Sequence, residues 1–271
     1  MAERVVAFLD VLGFSEQVRS QTQEELVEIY AALISAAYEN TTIVSVPDDW
    51  RKWDSEPFYH PWEERKTRYV HMMMGSDSIV VFSDDATRHG AGAVLGSVYR
   101  LLRASFRLGM PLRGGISIGE LTVVDGDDVA EPGSWTATVG GFVGLGLVKA
   151  HELERDFQWS GVVLEPTVQE LLCSELRAAL GDEFENFDAT RAIPFVADYP
   201  APHKNPARAT SRWVVDWPTE IDDGLAPLTR EHVRRSFESH GRSIDEDDPR
   251  AKSENTLMFW DARVAGDAHS A

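Results

Sequence analysis

Residues 5–15, Val-Val-Ala-Phe-Leu-Asp-Val-Leu-Gly-Phe-Ser, form a nearly continuous apolar run with one carboxylate, Asp10, in its middle. Such a run predicts a strand covered on both faces that ends in a turn at Gly13. An ionised carboxylate in that setting is costly unless a cationic group or a metal accompanies it. The alternative role for Asp10 is a helix cap, but the next helix is predicted to begin near Thr22. The sequence therefore favours Asp10 as a metal ligand.

A second carboxylate belongs to the same pattern. Residues 69–83 contain two apolar runs on either side of Gly75-Ser76, which predicts a β-hairpin with Asp77 at the start of its second strand. In a β-α-β-β-α-β order, that second strand lies antiparallel to the first strand of the domain. Asp10 and Asp77 then face each other at one end of the sheet, where two close carboxylates favour a divalent metal.

Composition narrows the class of protein. The chain has 271 residues, enough for one elaborated domain, and a formal net charge of −19, which argues against a broad nucleic-acid or anionic-membrane footprint. A single cysteine, Cys173, excludes an intramolecular disulfide and suits a reducing cytoplasm. No apolar segment is long enough to span a bilayer, and the N-terminal run is not a signal peptide because Asp10 interrupts it. We therefore expect a cytoplasmic protein.

The periodicity of the remaining chain predicts an α+β fold with helices on one face of the sheet. The region 180–212 is acidic and then irregular and Pro-rich. Residues 47–68 predict an aromatic insertion and 121–140 a projecting arm. We expect a catalytic domain over 1–218 and a helical extension over 219–271. The predicted helices cover about 22–39, 86–108, 142–156, the segment from Pro166, 229–239 and 249–264, and the further strands cover 111–120, 161–164 and 212–218.

Several chemical motifs are excluded. His151-Glu152-Leu153-Glu154-Arg155 begins like a zinc-binding helix but has Arg155 where the second histidine is required. The sequence has no Walker lysine motif and no G-x-G-x-x-G, and Ser15 lies outside any nucleophile elbow. What remains is the carboxylate pair and the turn at residues 12–15, whose successive backbone N–H groups can cradle phosphates.

These segments resemble, in order and spacing, those of class III nucleotide cyclases. Residues 8–15 resemble the metal-binding start of that catalytic domain, and Gly75-Ser76-Asp77 resembles its second metal-aspartate hairpin. Residues 112–119, Leu-Arg-Gly-Gly-Ile-Ser-Ile-Gly, resemble the arginine-bearing strand, and 143–154 resemble the helix that completes the site. The pattern is most similar to that of the pyrimidine cyclases of the bacterial Pycsar anti-phage defence system, and it covers most of residues 5–160.

The resemblance implies a ferredoxin-like βαββαβ catalytic domain and a set of site residues. Two Mg²⁺ or Mn²⁺ ions would be held by Asp10 and Asp77, with help from the carbonyl of Val11. The triphosphate would be held by Arg113, by Lys204 and by the amides of Leu12, Gly13, Phe14 and Ser15. In the family the sites form between two domains, so a homodimer is implied in which Lys204 comes from the other chain.

The sequence departs from the purine cyclases of that family at positions that read the base and at positions that steady the transition state. Met73 and Gly141 stand where those enzymes have the base-reading lysine and aspartate. Val148 and Glu152 stand where they have the asparagine and the arginine that steady the transition state. The resemblance therefore implies a cyclase that makes cyclic UMP from UTP as a second messenger in anti-phage defence. CTP, then a purine nucleotide, then a catalytically dead nucleotide-binding module are the alternatives. The sequence does not identify the base-binding residues or the downstream effector.

Overall fold

The computed structural model describes residues 2–41, 44–45, 67–68, 70–124, 141–208, 210–220, 227–240 and 247–267. The strands are β1 (Ala2–Val11), β2 (Val44–Ser45), β3 (Thr67–Arg68), β4 (Val70–Gly75), β5 (Ser78–Ser83), β6 (Leu112–Val124), β7 (Gly141–Val143), β8 (Val162–Leu164), β9 (Val196–Tyr199) and β10 (Arg212–Val215). The helices are α1 (Phe14–Ser20), α2 (Gln23–Thr41), α3 (Arg88–Arg107), α4 (Leu145–Asp156), α5 (Pro166–Leu180), α6 (Arg230–Ser236) and α7 (Asp247–Asp267).

The strand order confirms the predicted α+β fold. The main sheet runs β4-β5-β1-β6-β8-β10-β9, with β7 paired to β6. Strand β1 pairs antiparallel with β5 on one side and with β6 on the other. The elements β1, α2, β4, β5, α3 and β6 therefore follow the ferredoxin-like order, and the parallel β8 with β10 and β9 extends the sheet beyond β6.

The strand β1 is covered on both faces, as its apolar run predicts. Val5, Ala7 and Leu9 belong to the main core under α2, α3 and α5. Val6 lies on the opposite face in a smaller cluster, against which Phe8 packs. Because side chains alternate along a strand, Asp10 shares the face of Val6 and Phe8.

The helices do not all lie on one face, and that expectation was wrong. Helix α4 covers the face that carries Val6 and Phe8, because glycines on β6 let its backbone approach. A Cβ on Gly115 would lie 2.4 Å from the Leu153 Cβ, and a Cβ on Gly119 would lie 2.6 Å from the Gly146 amide nitrogen. Gly115 and Gly119 thus serve helix packing on the face where Asp10 lies.

Several boundaries differ from the expectations. A short helix, α1, begins directly after Gly13 and precedes the helix predicted near Thr22. That helix, α2, begins with a capping box in which Thr22 and Glu25 each accept from the other's amide. The first residues of the predicted arm, 121–124, continue β6, and 122–124 pair with β7, which begins at Gly141. Strand β9 lies in the region expected to be irregular. The rest of the arm (125–140) and most of the insertion lie outside the described residues, although 67–68 pairs with 44–45.

The C-terminal segment packs into the same core as the sheet. Val233, Phe237, Phe259 and Trp260 are buried members of the main core cluster. Phe259 contacts Trp159 edge-to-face with ring centroids 5.0 Å apart. Within the described ranges, no helix is both long enough and apolar enough to cross a membrane.

Candidate active site

The carboxylate of Asp10 lies at the carboxyl end of β1, directly opposite Arg113 in β6. Both Nε and Nη2 of Arg113 donate to Asp10 Oδ2 at 3.2 Å. The nearest helix, α1, is capped by Gly13 without a side-chain hydrogen bond, so Asp10 is not its cap. The carboxylate instead has a cationic partner, which is the setting that a half-buried acid requires.

The second carboxylate residue, Asp77, is hydrogen-bonded through its backbone to the same end of β1. The amide of Val11 donates to the Asp77 carbonyl at 2.8 Å, and Ser78 pairs with Asp10 in the register of β1 and β5. The hairpin loop is formed by Ser76 and Asp77, and Ser76 adopts a φ of 53° at its first position. The turn lies one residue later than the predicted Gly75-Ser76, because Gly75 still pairs with Ser78, so Asp77 lies in the loop and not in the second strand. The structure nevertheless brings Asp10 and Asp77 to the same end of the sheet, as expected.

Burial raises the pKa of the Asp10 carboxyl, and the negative charge of Asp77 raises it further. Arg113 opposes both effects through its charge and its hydrogen bonds. The net effect is a raised pKa of Asp10, which means that the protein itself does not fully compensate the negative charge of the ionised carboxylate. A site of this kind gains stability when an additional cation binds.

The guanidinium of Arg113 joins two carboxylates rather than one. Its Nε also forms an ion pair with Glu154 Oε1, and the Glu154 side chain is only 3% exposed. Burial raises the pKa of Glu154 and Asp10 raises it further, while Arg113 and then His151 lower it. Arg113 is therefore held in place by two carboxylates, one on β1 and one on α4.

Glu154 reaches this position because it ends a buried stripe on α4. Gly146, Ala150 and Glu154 are spaced four residues apart, so they share one face of the helix, and all three are buried. The first two are small and lie against β6. The third supplies a carboxylate where the stripe meets Arg113.

The turn after β1 is only partly available for phosphate binding. Gly13 has a φ of 74°, and Phe14 and Ser15 open α1. The amide of Leu12 donates to the Pro111 carbonyl at 2.9 Å, so it must break that bond before it can bind a phosphate. The assignment of a phosphate cradle therefore depends on the amides that follow Leu12.

The side chain of Lys204 is placed near Arg113 and Glu154 of its own chain. An isolated bridge between Phe157 and His203 carries the segment alongside the end of α4, and the Lys204 amide donates to the Asp156 carbonyl at 2.8 Å. Burial lowers the pKa of Lys204, Arg113 lowers it further, and Glu154 opposes this. The expectation that Lys204 serves the other chain's site therefore competes with a site within one chain.

The positions that differ from purine cyclases lie on three elements. Met73 is half-buried on β4 opposite Val80, and Gly141 pairs with Val124 on β7. Val148 and Glu152 are both exposed on α4. Met73, Gly141 and Val148 carry no charge.

Residues that sequence reasoning missed complete the cluster. Glu154 belongs to the segment 151–155 that was rejected as a zinc motif. Its spacing of four residues from Ala150 and from Gly146 could have indicated that it lies on the buried face of the helix. Lys252 on α7 also lowers the pKa of Asp10, which no local pattern indicates. Among the described residues, no group of three or more His, Cys, Asp or Glu is arranged to hold a metal.

No family model matches this sequence, and no curated protein matches it either. Among solved structures, the guanylyl cyclase Cya2 is 13% identical over 84% of this chain and 97% of its own, with a TM-score of 0.49. The catalytic core of a rhodopsin-guanylyl cyclase with converted specificity, in complex with ATPalphaS, is 9% identical over 79% and 95%, with a TM-score of 0.48. A bacterial light-regulated adenylyl cyclase is 12% identical, with a TM-score of 0.44, and this chain spans about half of its length (80% and 52% covered). Identities and scores this low establish no shared activity.

Proposed function

We propose that this chain is a nucleotide cyclase, a phosphorus–oxygen lyase that converts UTP to 3′,5′-cyclic UMP and pyrophosphate. The observation that carries the proposal is the placement of Asp10 and Asp77 at the same end of β1, with Arg113 bonded to Asp10. The pair occurs within a ferredoxin-like strand order and on the segments that resemble class III cyclases.

The donor set fits Mg²⁺ or Mn²⁺ that binds together with a nucleotide. Two carboxylates and the Val11 carbonyl are hard oxygen ligands, and Mg²⁺ is commonly held by one or two carboxylates plus substrate phosphates and water. Asp10, Asp77 and Glu154 together bring more negative charge than Arg113 neutralises. Two bound ions would neutralise the phosphates and acidify the ribose 3′-hydroxyl.

The chain's own residues would position the substrate. Asp10 and Asp77 would hold the ions. Arg113, steadied by Glu154, would transfer its free donors to the phosphates when Asp10 binds metal. The 3′ oxygen would then attack the α-phosphorus in line, its proton would pass to solvent, and the bond to the departing pyrophosphate would break. Most of the catalysis would come from position and charge neutralisation.

The preference for a pyrimidine rests on what the site lacks. Met73 and Gly141 offer no side-chain hydrogen-bonding group for a purine at the positions where the resemblance requires one. UTP is the favoured substrate and CTP the alternative. The further role, production of a second messenger in anti-phage defence, follows from the same resemblance.

A homodimer is also part of the proposal. Val143, Leu145 and Val148 are large apolar side chains that are 64%, 57% and 51% exposed on β7 and α4. Leu145 and Val148 lie on the helix that also carries Glu154, and Val143 ends the strand just before it. An apolar patch of this kind beside a binding site suits a protein interface, and a second copy would cover it.

The direct test is to incubate the purified full chain with Mn²⁺ and each of ATP, GTP, CTP and UTP separately, and to identify the products by mass spectrometry. We expect cyclic UMP from UTP. Cyclic AMP or cyclic GMP as the main product would replace the pyrimidine assignment by a purine one. No cyclic product from any of the four would reject the cyclase proposal.

A further inference from the structure

The first half of helix α7 runs beside the candidate site. The Ser160 amide donates to Thr256 Oγ1 at 2.8 Å, and Asn255 Nδ2 donates to the Gln158 carbonyl at 2.7 Å. Two consecutive helical residues are thus bonded to the segment that follows α4. The position of α7 is therefore fixed relative to the helix that carries Glu154.

The same segment is bonded to the backbone on either side of Arg113. Ser160 Oγ donates to the Leu112 carbonyl at 2.6 Å, and the Gly114 amide donates to the Gly161 carbonyl at 3.0 Å. A continuous set of hydrogen bonds therefore connects α7, residues 158–161 and the strand residues that present Arg113.

One turn before Thr256, Lys252 lies at the site end of α7. Its carbonyl accepts from Thr256 Oγ1 at 2.6 Å, and its ammonium is 2.5 Å from Asp248 Oδ2. The side chain of Lys252 is 17% exposed. Its charge lowers the pKa of both Asp10 and Lys204, so the ammonium lies within electrostatic reach of the site.

The far half of α7 is anchored in the core. Phe259 is fully buried, and Arg263 donates to Asp216 through Nε at 3.0 Å and through Nη2 at 2.7 Å. Asp216 is 5% exposed, so this bidentate pair is largely shielded from solvent. The helix is a fixed wall, and Lys252 is held near the site by the fold rather than by its ion pair with Asp248.

We propose that α7 forms one wall of the nucleotide site and that the Lys252 ammonium binds the polyphosphate chain of a nucleoside triphosphate. This inference rests on the proposed function. The charges of Arg113 and Lys252 both act on Lys204, so these three cations lie within electrostatic reach of one another in a chain whose formal net charge is −19. Local cations in an acidic protein suit an anionic ligand, and a lysine ammonium is well suited to phosphate as a compact charge.

The ion pair of Lys252 with Asp248 is not important enough for stability to explain the position of Lys252 by a purely structural role. Its partner Asp248 lies four residues earlier on the same helix and is 58% exposed, and exposed pairs of that spacing contribute little to stability. Asp248 also accepts from Gln158 Nε2 at 3.0 Å, so it keeps a partner without Lys252. The ammonium can therefore exchange Asp248 for a phosphate at low cost.

The test measures binding of inorganic tripolyphosphate to the full chain by calorimetry in excess Mg²⁺. We expect Lys252→Met to weaken binding about tenfold or more, the loss typical of a charge-assisted contact, and Lys252→Arg to retain binding within a few-fold. Arg235→Gln is the matched control, because Arg235 also ends an i, i+4 pair, with Glu231, and is 71% exposed. It should bind as the wild type does.

Equal affinity in Lys252→Met and the wild type would overturn the inference, as would the absence of tripolyphosphate binding by the wild type. If circular dichroism shows that Lys252→Met is unfolded, Asp248→Asn decides, because removing the competing carboxylate should strengthen binding and unchanged affinity would overturn the inference. Failure of the cyclase proposal is separate. A wild type that makes no cyclic nucleotide but binds tripolyphosphate through Lys252 would reject the activity and retain the anion site.

Discussion

Arg113 lies opposite Asp10 across β1 and β6, with its Nη2 3.2 Å from Asp10 Oδ2, and it also contacts the buried Glu154. The ion pair connects the residue proposed to hold metal with the residue proposed to hold phosphate. If Asp10 held a metal, Arg113 would lose one partner and could turn its donors to a phosphate. The two proposed functions would therefore be coupled through one contact.

Replacement of a metal ligand should abolish cyclisation. Asp10→Asn and Asp77→Asn are each expected to reduce turnover with Mn²⁺ roughly a thousandfold or more, because several kcal/mol of transition-state stabilisation depend on the ions. Product formation from UTP gives the measurement. Near-wild-type turnover in either variant would show that the carboxylate pair holds no catalytic metal.

The same variants should differ from the wild type in thermal stability. The pKa of Asp10 is raised in the folded state, so its ionised form costs stability at neutral pH. The cost is absent below the ordinary carboxyl pKa of 3.8 and develops as pH rises through the folded-state value. In EDTA at neutral pH, Asp10→Asn should therefore melt above the wild type, and this difference should narrow as pH falls.

Addition of Mn²⁺ should reverse that order. A ligand that binds the folded state raises the melting temperature, and Asp10→Asn should lose most of this gain. Scanning calorimetry with and without Mn²⁺ measures both effects. An equal Mn²⁺-dependent gain in both proteins would place the bound ion away from Asp10.

Much of this site could be anticipated from local patterns, and the remainder required tertiary contacts. Asp10 and Asp77 interrupt or begin apolar strands, so burial and strand pairing predicted their meeting. Glu154 looked like an ordinary helical glutamate, because its burial depends on Gly115 and Gly119 allowing α4 to approach β6. Lys252 is distant in sequence, and its position relative to the site depends on the hydrogen bonds that dock α7.

The role of Glu154 as a positioning residue for Arg113 can be tested directly. Glu154→Gln should lower kcat/KM about tenfold, in the range seen when groups that orient a site residue are removed. Its melting temperature should change little, because the cost of burying the charge offsets the lost ion pair. Glu152→Gln, an exposed change on the same helix, is the control.

A double mutant separates this role from general damage. If Glu154 acts through Arg113, adding Glu154→Gln to Arg113→Met should lower kcat/KM no further. Additive losses would mean that Glu154 contributes by a route that does not involve Arg113.

The nucleotide preference follows from the missing purine readers. With neutral, non-hydrogen-bonding side chains at Met73 and Gly141, we expect UTP or CTP to exceed ATP and GTP in kcat/KM by at least about a hundredfold, because a mismatched base leaves buried polar groups unpaired. A competition assay with all four nucleotides at equal concentration measures the ratio. Comparable turnover of ATP would contradict the pyrimidine assignment.

The position of Lys204 decides whether the phosphate site lies within one chain. Lys204 lies within electrostatic reach of Arg113 and Glu154 of its own chain. Lys204 and Arg113 should therefore serve the same phosphate site. Asp77→Asn and Lys204→Ala should each be nearly inactive alone. Mixed at equal concentration after subunit exchange, they should remain inactive, because every site then carries one of the two lesions.

The composite arrangement predicts a different result from the same mixture. If Lys204 served the partner's site, one site of each mixed dimer would carry both lesions and the other would carry none. Half of the dimers are mixed, so about a quarter of wild-type activity would return. Native mass spectrometry of differently tagged chains confirms the exchange, and mixing Asp77→Asn with Asp10→Asn gives the baseline without recovery. Recovery to a quarter would assign Lys204 to the partner's site, whereas activity that stays at the baseline keeps Lys204 beside Arg113 of its own chain.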